Sequence, residues 1–277
     1  MNITEKARAL RELHDKLLVL PNAWDPASAA LTVRAGAAAV ATTSGGVAWS
    51  LGRSDGETLS RDEMMGAIRR ITAAVGVPVT ADVEGGYGPA PADVADTVRA
   101  VIAAGAVGVN IEDSHAGALR PADEMARRIR AAREAAAGAG LPELVINART
   151  DVFLFQVGEP AGRLGDVLAR AAAYAEAGAD CLFVPGLLDL AALAELTAVS
   201  PLPVNAMAGP GGLAVAELAA AGVRRISVGT AIAQAAYGLA ERAARELLES
   251  GTYGSLDRAV SYADLNDLRP AGNATSR

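Results

Sequence analysis

Acidic side chains follow two short apolar runs in the middle of the chain. Asp82 and Glu84 come after the run that opens at Val77-Pro78, and Glu112 ends the next run. If these runs are neighbouring parallel strands, the carboxylates meet at one edge and raise one another's pKa unless a cation neutralises them. Oxygen ligands select a hard ion. The pattern predicts a Mg²⁺ (or Mn²⁺) site at Asp82, Glu84 and Glu112; the alternative is that these acids cap helices or pair with arginines.

Two further features are typical of anion binding. Arg149 ends another apolar run, and its guanidinium offers two parallel N–H donors to a carboxylate or phosphate. The alternative role of Arg149 is an ion pair with Asp151 or Glu112. A short glycine-rich turn that can point backbone N–H groups at an anion follows a different run. It consists of Ser44, Gly45 and Gly46. We therefore expect the anionic groups of a substrate at Arg149 and at this turn.

Nucleophilic catalysis has little support in the sequence. The chain has two histidines and one cysteine, and they form no Ser-His-Asp set. His14 lies in a charged N-terminal segment, where a surface role is expected. Cys181 lies near the start of an apolar run, so we expect a buried core thiol there. His115, in a loop of small residues, is either a mobile acid or base or a solvated side chain. Chemistry without these groups leaves a bound metal ion as the electrophile.

Eight apolar runs, separated by amphipathic helical stretches, organise the chain. Several runs follow an Ala-Gly-Ala or Ala-Gly-Val step, in which glycine takes the left-handed position that ends a helix. The runs are continuous rather than alternating, which indicates strands buried on both faces and therefore a parallel sheet. They cover 17–23, 37–43, 77–83, 107–112, 144–149, 179–184, 202–206 and 224–229.

This succession predicts an α/β fold, a single (β/α)₈ TIM-type barrel over residues 1–277. An open doubly wound sheet is the alternative. Such barrels place their reacting groups at the carboxyl ends of the strands, where the acids and Arg149 stand. Helical segments at 230–249 and about 255–268 follow the last run, more than one closing helix needs. We expect this C-terminal segment, 230–277, to pack on a neighbouring subunit.

Composition excludes several classes of function. Hydrophobic residues make up 51% of the chain and charged residues 21%, which is too apolar for disorder. A net charge of −7 without a basic cluster argues against a nucleic-acid partner, and a single cysteine excludes a disulfide framework. Glycine or proline interrupts the uncharged runs 35–52 and 196–216, so no membrane partner is expected. Since the N-terminal segment lacks a signal-peptide apolar region, we expect a cytoplasmic enzyme with a small carboxylate substrate.

With these residues in place, the chain resembles the isocitrate lyase/phosphoenolpyruvate mutase superfamily along nearly its whole length. The motifs that carry the resemblance stand in order and at barrel spacing. They are Pro21-Asn22-Ala23-Trp24-Asp25, Thr43-Ser44-Gly45-Gly46, Asp55 in its loop, Ala81-Asp82-Val83-Glu84-Gly85-Gly86-Tyr87-Gly88, Asn110-Ile111-Glu112-Asp113 and Asn147-Ala148-Arg149-Thr150-Asp151.

The resemblance implies a role for each of these sites. Asp82 would hold the metal ion directly, while Asp55, Glu84 and Glu112 would reach it mostly through water. The implied catalytic residues are Asp55, Arg149 and Glu112. The implied substrate contacts are Trp24, Ser44, Gly45, Gly46, Arg149 and, at the distal end of the substrate, Asn205. Family barrels are usually tetramers that exchange a C-terminal helix, so the resemblance implies a homo-oligomer, dimer or tetramer, with a swapped helix.

The loop after the fourth strand departs from the family's lyases. Those enzymes carry a Lys-Lys/Arg-Cys-Gly-His loop whose cysteine is the acid/base, whereas residues 113–121 of this chain contain neither cysteine nor lysine. Cleavage of the isocitrate type is therefore not expected, and His115 and Arg120 are acid/base candidates by position alone. Where lyases have a glutamate and mutases a histidine on strand six, this chain has Phe183-Val184-Pro185-Gly186.

The shared core predicts a Mg²⁺-dependent enzyme that acts on a small 2-oxo or enol carboxylate through a stabilised enolate. The expected reaction is cleavage of a carbon–carbon bond or decarboxylation of a β-keto acid. One alternative is C–P chemistry like that of phosphoenolpyruvate mutase or phosphonopyruvate hydrolase. Another is metal-dependent binding of 2-oxoglutarate or oxaloacetate with little turnover. The last alternative is a general phosphate-binding barrel enzyme, with the phosphate at Gly209-Pro-Gly-Gly212 and Gly229-Thr230.

Overall fold

The computed structural model describes residues 1–268 as alternating strands and helices, and the rest of the predicted C-terminal segment lies outside the described residues. The strands are β1 (Leu18–Leu20), β2 (Asn22–Ala23), β3 (Val40–Thr42), β4 (Val79–Asp82), β5 (Gly108–Glu112), β6 (Ser114–His115), β7 (Ala118–Leu119), β8 (Val145–Arg149), β9 (Cys181–Phe183), β10 (Val204–Met207) and β11 (Arg225–Ser227). The helices are α1 (Ile3–Leu13), α2 (Pro26–Arg34), α3 (Ser44–Ser50), α4 (Arg61–Ala74), α5 (Pro91–Ala103), α6 (Ala122–Gly138), α7 (Arg163–Glu176), α8 (Leu190–Val199), α9 (Val215–Ala220), α10 (Ala231–Ser250) and α11 (Tyr262–Asn266).

Nine of these strands form one parallel sheet that closes on itself. β1 and β2 are two halves of the first barrel strand, separated at Pro21, which has no N–H to donate. β1 pairs with β11, and Leu18 lies beside Arg225, whereas β2 pairs with β3, and Asn22 lies beside Ala41. The two halves of the first barrel strand thus pair with the last strand, β11, and with the second barrel strand, β3, which closes the barrel. The predicted single barrel is confirmed: each of the eight predicted runs overlaps a strand of the sheet, and the first run contains both β1 and β2.

The buried strands alternate in polarity, although both of their faces are covered. Val79 and Ala81 on β4 belong to the hydrophobic core between barrel and helices. Thr80 and Asp82, on the same strand, line a cavity inside the barrel. Since successive side chains of a strand point to opposite faces, the polar set is directed inward at the carboxyl ends. The fold thus collects polar groups from many strands into one place.

Helix α1 covers the amino-terminal end of the barrel. Its Leu10 is fully buried, and a Cβ added at Gly108, the first residue of β5, would lie 2.9 Å from Leu10 Cδ2. His14, directly after α1, is wrongly predicted to have a surface role. Its Nδ1 donates to the Leu10 carbonyl at 2.7 Å, and its Nε2 accepts from Arg225 Nη1 at 3.4 Å. The neutral ring therefore joins the helix to the barrel interior.

The His14 ring makes folding stability depend on pH. Burial, followed by the charge of Arg225, lowers its pKa from 6.5 to about 4. Between these values the unfolded chain binds a proton that the folded chain does not, so stability is complete above pH 6.5 and decreases towards pH 4. We expect wild type to lose about 2 kcal/mol relative to His14→Gln between pH 7.5 and pH 5, as measured by urea unfolding. Parallel stability curves for the two proteins would contradict this expectation.

The C-terminal helices begin on the barrel and continue beyond it. Tyr237 of α10 packs between Trp24 and Trp49, with ring centroids 6.5 and 6.4 Å away. Further along, apolar side chains face solvent, with Leu248 85% and Tyr262 86% exposed. Residues 1–268 contain no helix that is long and apolar enough to cross a membrane.

Candidate active site

A cavity of about 160 Å³ opens at the carboxyl ends of the barrel strands. Five of the predicted site residues line it: Ser44, Asp55, Asp82, Arg149 and Asn205. The other lining side chains of functional interest are Asn22, Thr42, Thr43, Thr80, Asn110, Asn147, Phe183, Met207, Arg225, Ser227 and Thr230. None of the residues that line it, among those described, is a lysine, histidine or cysteine. The volume corresponds to roughly five water molecules, so the cavity fits a small acid.

Asp82 lies at the centre of a hydrogen-bond network that connects four strands and their loops. Its backbone N–H donates to Thr42 Oγ1 at 2.8 Å. Its Oδ2 accepts from the Ser44 N–H at 3.1 Å, and its Oδ1 accepts from Asn110 Nδ2 at 3.0 Å. Asn147 Nδ2 in turn donates to Asn110 Oδ1 at 2.9 Å. These donors fix the carboxylate in one orientation.

The neighbouring carboxylates are held in a mutually repulsive group. Burial and then Asp82 raise the pKa of Asp55, and the same two causes raise the pKa of Glu84 to about 7. Burial raises the pKa of Glu112 to about 8, although Arg149 opposes that shift. A cation near Asp82 would relieve this repulsion.

The donor set fits a hydrated divalent ion better than a fully protein-ligated one. Within residues 1–268 no three His, Cys, Asp or Glu side chains are spaced to hold a metal ion together. Mg²⁺ commonly takes one or two carboxylates and keeps several waters. Asp82 Oδ2 accepts a single hydrogen bond from the described residues and has a second acceptor position. Asp82 can therefore be a direct ligand, and Asp55 lines the same cavity.

Glu84 lies beneath a loop rather than in the cavity. Its backbone has φ of 51°, in the left-handed region that side chains rarely adopt. Its carboxylate accepts from the Tyr87 hydroxyl at 3.2 Å and from the Glu57 N–H. Glu57 Oε1 in turn accepts from the Tyr87 N–H at 3.1 Å. These contacts fix the loop that carries Asp55 against the end of β4.

Arg149 is bound between two carboxylates. Its Nε and Nη2 donate to Asp151 at 2.6 and 3.1 Å, and its Nη1 lies 2.9 Å from Glu112 Oε2. The Phe183 ring covers one face of the guanidinium, 5.8 Å from Cζ to centroid. A guanidinium has five N–H groups, so two remain for a ligand. The predicted ion pairs and the predicted anion-binding role are thus compatible in one side chain.

Three predicted substrate contacts, Gly45, Gly46 and Trp24, lie just outside the cavity lining, whereas Ser44 lines it. Ser44, Gly45 and Gly46 begin α3 rather than forming a free turn. A Cβ at Gly45 would come within 3.0 Å of Asp55 Oδ2, and one at Gly46 within 2.9 Å of Trp24 Cβ. These glycines therefore let α3 approach the Asp55 loop and Trp24 closely. Trp24 packs against Tyr237 of α10 rather than in the cavity.

The predicted loop after β5 contains an antiparallel hairpin, β6–β7. Its turn residues Ala116 and Gly117 have φ of 49° and 79°. His115 is exposed and lies 3.5 Å from Glu57 Oε2, and Arg120 pairs with Glu124. Neither candidate acid/base lines the cavity. Ser114 instead donates to Asp151 Oδ2 at 2.5 Å, which links the hairpin to the Arg149 group.

Sequence reasoning also missed several cavity residues. Asn110 and Asn147 stand in the middle of β5 and β8, and Arg225 is the first residue of β11. These positions precede the carboxyl ends of their strands, where the barrel pattern predicts reacting groups. Period-two alternation back from Ser227 would have indicated that Arg225 points inward.

Comparison with known proteins finds lyases, a decarboxylase and a phosphomutase family as relatives. A family model described as phosphoenolpyruvate phosphomutase matches residues 10–248. The 2-methylisocitrate lyase of Escherichia coli K12 is 36% identical over 189 residues, covering 64% of this chain and 60% of the lyase. Oxaloacetate decarboxylase 2 of Pseudomonas fluorescens Pf0-1 is 33% identical over 230 residues, covering 78% of this chain and 75% of the decarboxylase. The crystal structure of a candidate lyase/mutase from Burkholderia cenocepacia J2315 is 40% identical, with a TM-score of 0.88 over 95% of this chain and 96% of that one.

Proposed function

This chain belongs to the phosphoenolpyruvate phosphomutase family within the isocitrate lyase/phosphoenolpyruvate mutase superfamily, and we propose that it is a divalent-metal-dependent lyase acting on a small 2-oxo or hydroxy carboxylate. The reaction would be cleavage of a carbon–carbon bond or decarboxylation of a β-keto acid. One observation carries the proposal: a single small cavity unites the Asp55–Asp82 carboxylates with the Arg149 guanidinium. That combination can hold a metal ion and the anion that binds to it.

We propose Mg²⁺, or Mn²⁺, as the ion, held directly by Asp82 and through water by Asp55, Glu84 and Glu112. When bound, such an ion supplies an electrophile that polarises the 2-oxo group of the substrate. The raised pKa of Asp55 and Glu84, caused by burial and by Asp82, supports a cation at this position.

The protein's own groups would bind and orient the substrate. The two unused N–H groups of Arg149 are available to a carboxylate, and the Glu112 and Asp151 contacts hold the guanidinium still. The Ser44 and Thr230 side chains lie at the cavity lining. Fixed donors of this kind stabilise developing negative charge without reorganisation.

Turnover tests the proposal directly. We would incubate the purified chain with Mg²⁺ and, separately, oxaloacetate, alkylmalates and phosphonopyruvate, and follow pyruvate with a coupled assay. Pyruvate from oxaloacetate or an alkylmalate, above the background of Mg²⁺ alone and absent with a chelator, is the expected result. Turnover of phosphonopyruvate alone would favour C–P chemistry. Metal-dependent binding without any product would favour the binding-protein alternative.

We further propose that the chain is a cytoplasmic homo-oligomer whose C-terminal helices pack on a neighbouring subunit. The support is the apolar surface on and after α10, where Leu248 and Tyr262 are more than four-fifths exposed. Burying such side chains against a second copy is favourable at roughly 25 cal/mol per Å². Light scattering would measure the assembly, and a mass of 28.0 kDa would contradict it.

A further inference from the structure

Arg128 is a fully buried arginine that lies outside the cavity, behind the loop that follows β4. It belongs to α6, and its side chain is 0% exposed. Within the described residues 1–268, the acceptors of its hydrogen bonds are all backbone carbonyls rather than carboxylates. A buried charge needs such partners, so the position of this guanidinium and the shape of the backbone around it depend on each other.

The acceptors of Arg128 all come from residues 85–89, which we call the β4 loop. Its Nη1 donates to the Pro89 carbonyl at 3.0 Å, and its Nη2 donates to the Gly88 carbonyl at 2.8 Å. The same Nη2 also donates to the Gly85 carbonyl. Hydrogen bonds from an ionised donor are roughly twice as strong as neutral ones. One side chain of α6 thus holds both ends of the β4 loop.

The backbone here is one that the local sequence does not favour. Glu84 and Tyr87 have φ of 51° and 57°, in the left-handed region that side chains rarely adopt. Such a conformation persists only where the surrounding structure enforces it. Arg128 binds the carbonyls from α6, and Thr97 of α5 donates to the Gly86 carbonyl at 2.8 Å. These buried side chains supply the required constraint from behind the loop.

The opposite side of the β4 loop contacts the candidate active site. The Tyr87 hydroxyl donates to Glu84 Oε1 at 3.2 Å, and the Tyr87 N–H donates to Glu57 Oε1 at 3.1 Å. Glu57 follows closely after Asp55, which lines the cavity. The conformation that Arg128 imposes on the β4 loop therefore determines where the Glu84 carboxylate and the segment that carries Asp55 lie.

We propose that Arg128 is a positioning residue of the active site. It holds the β4 loop against α6, and the loop in turn holds Glu84 and, through Glu57, the Asp55 segment. This inference rests on the proposed function, in which these carboxylates bind the divalent ion. Groups that orient metal ligands without touching the ion commonly change metal affinity or activity 10–100-fold. Arg128 acts in this way from outside the cavity.

Calorimetric titration of Mg²⁺, with a fixed excess of oxalate and well below the melting temperature, tests the inference. We expect Arg128→Met to bind Mg²⁺ about 10-fold more weakly than wild type. Arg128→Lys keeps a cationic donor but not the planar guanidinium, so its affinity should lie between the two. Arg127→Met is the matched control, because the neighbouring Arg127 is exposed and pairs with Asp123. Its Mg²⁺ affinity should equal that of wild type.

Hydrogen exchange of the metal-free proteins gives a second measurement. The Gly86 N–H donates to the Val83 carbonyl at 2.9 Å, and the Tyr87 N–H donates to Glu57. Both amides should be protected in wild type. We expect them to exchange about 10-fold faster in Arg128→Met and at the wild-type rate in Arg127→Met, because only the first substitution releases the β4 loop.

The other outcomes separate this inference from the proposed function. Wild-type Mg²⁺ affinity in Arg128→Met, whatever its melting temperature or exchange rates, would make Arg128 a structural residue only and leave the proposed function intact. If Arg128→Met did not fold, wild-type affinity in Arg128→Lys would overturn the inference in the same way. An absence of Mg²⁺ binding to wild type would overturn the proposed function and, with it, the inference.

Discussion

Asp82→Asn is expected to abolish metal-dependent activity, with a loss of about 10³-fold or more, since it removes the one direct carboxylate ligand. The side chain keeps its shape, and its remaining carbonyl oxygen can still accept from the Ser44 N–H or from Asn110 Nδ2. Burial and then the Asp82 charge raise the pKa values of Asp55 and Glu84. Removal of that charge therefore also reduces the electrostatic repulsion on these two carboxylates. Without metal, the variant should therefore be as stable as wild type or more so.

Asp96→Asn is the matched control for this substitution. Asp96 is an exposed carboxylate on α5 that pairs with Arg99, away from the cavity. Its loss should change neither activity nor the increase in melting temperature that Mg²⁺ and an acid produce together. An Asp82→Asn protein that kept its Mg²⁺-dependent stabilisation would show that the ion binds elsewhere.

Arg149→Met is expected to cost about 3–5 kcal/mol of stability as well as substrate affinity, because it leaves Glu112 and Asp151 as unpaired buried carboxylates. Urea unfolding measures the stability loss. Loss of the charge-assisted contact to the substrate carboxylate should weaken binding by a further about 1.5–3 kcal/mol. A stability change below about 1 kcal/mol would mean that other groups already compensate these carboxylates.

A double variant separates the two roles of Arg149. Arg149→Met with Asp151→Asn removes one of the two carboxylates that lose their partner, so part of the lost stability should return. Acid binding should stay weak, because the donors to the substrate are still missing. If the double variant recovered both stability and acid affinity, Arg149 would be a structural residue and the substrate carboxylate would bind elsewhere.

The barrel and the Asp82 region were predictable because they depend on local patterns. Apolar runs that follow glycine-capped helices indicate parallel strands, and the carboxyl ends of parallel strands meet at one end of the barrel. Asp82 and Arg149 were therefore predictable as site residues from their positions at the carboxyl ends of strands. Ser44, at the start of α3, and Asp55, in the loop after that helix, both line the cavity, which agrees with the motif order.

The inner half of the cavity was not predictable in the same way. Arg225 comes from the start of a strand, and its distance from Asp82 depends on barrel closure rather than on sequence spacing. His14 was misjudged as a surface residue because it follows a charged helix. Ala7 and Leu10 on that helix are fully buried, and His14 continues their face at the i, i+3, i+7 positions. Following that face would have placed the ring against the barrel.

The central claim is that this cavity binds a divalent ion and a small acid together. The most direct test is the melting temperature of wild type with Mg²⁺, with oxalate, pyruvate, oxaloacetate, 2-oxoglutarate, phosphonopyruvate or an alkylmalate, and with Mg²⁺ and each acid. We expect an increase of about 5 °C with at least one pair at 100-fold excess over Kd, and little with either component alone. No metal-dependent increase with any of these acids would contradict the claim and remove the basis for a metal-assisted lyase.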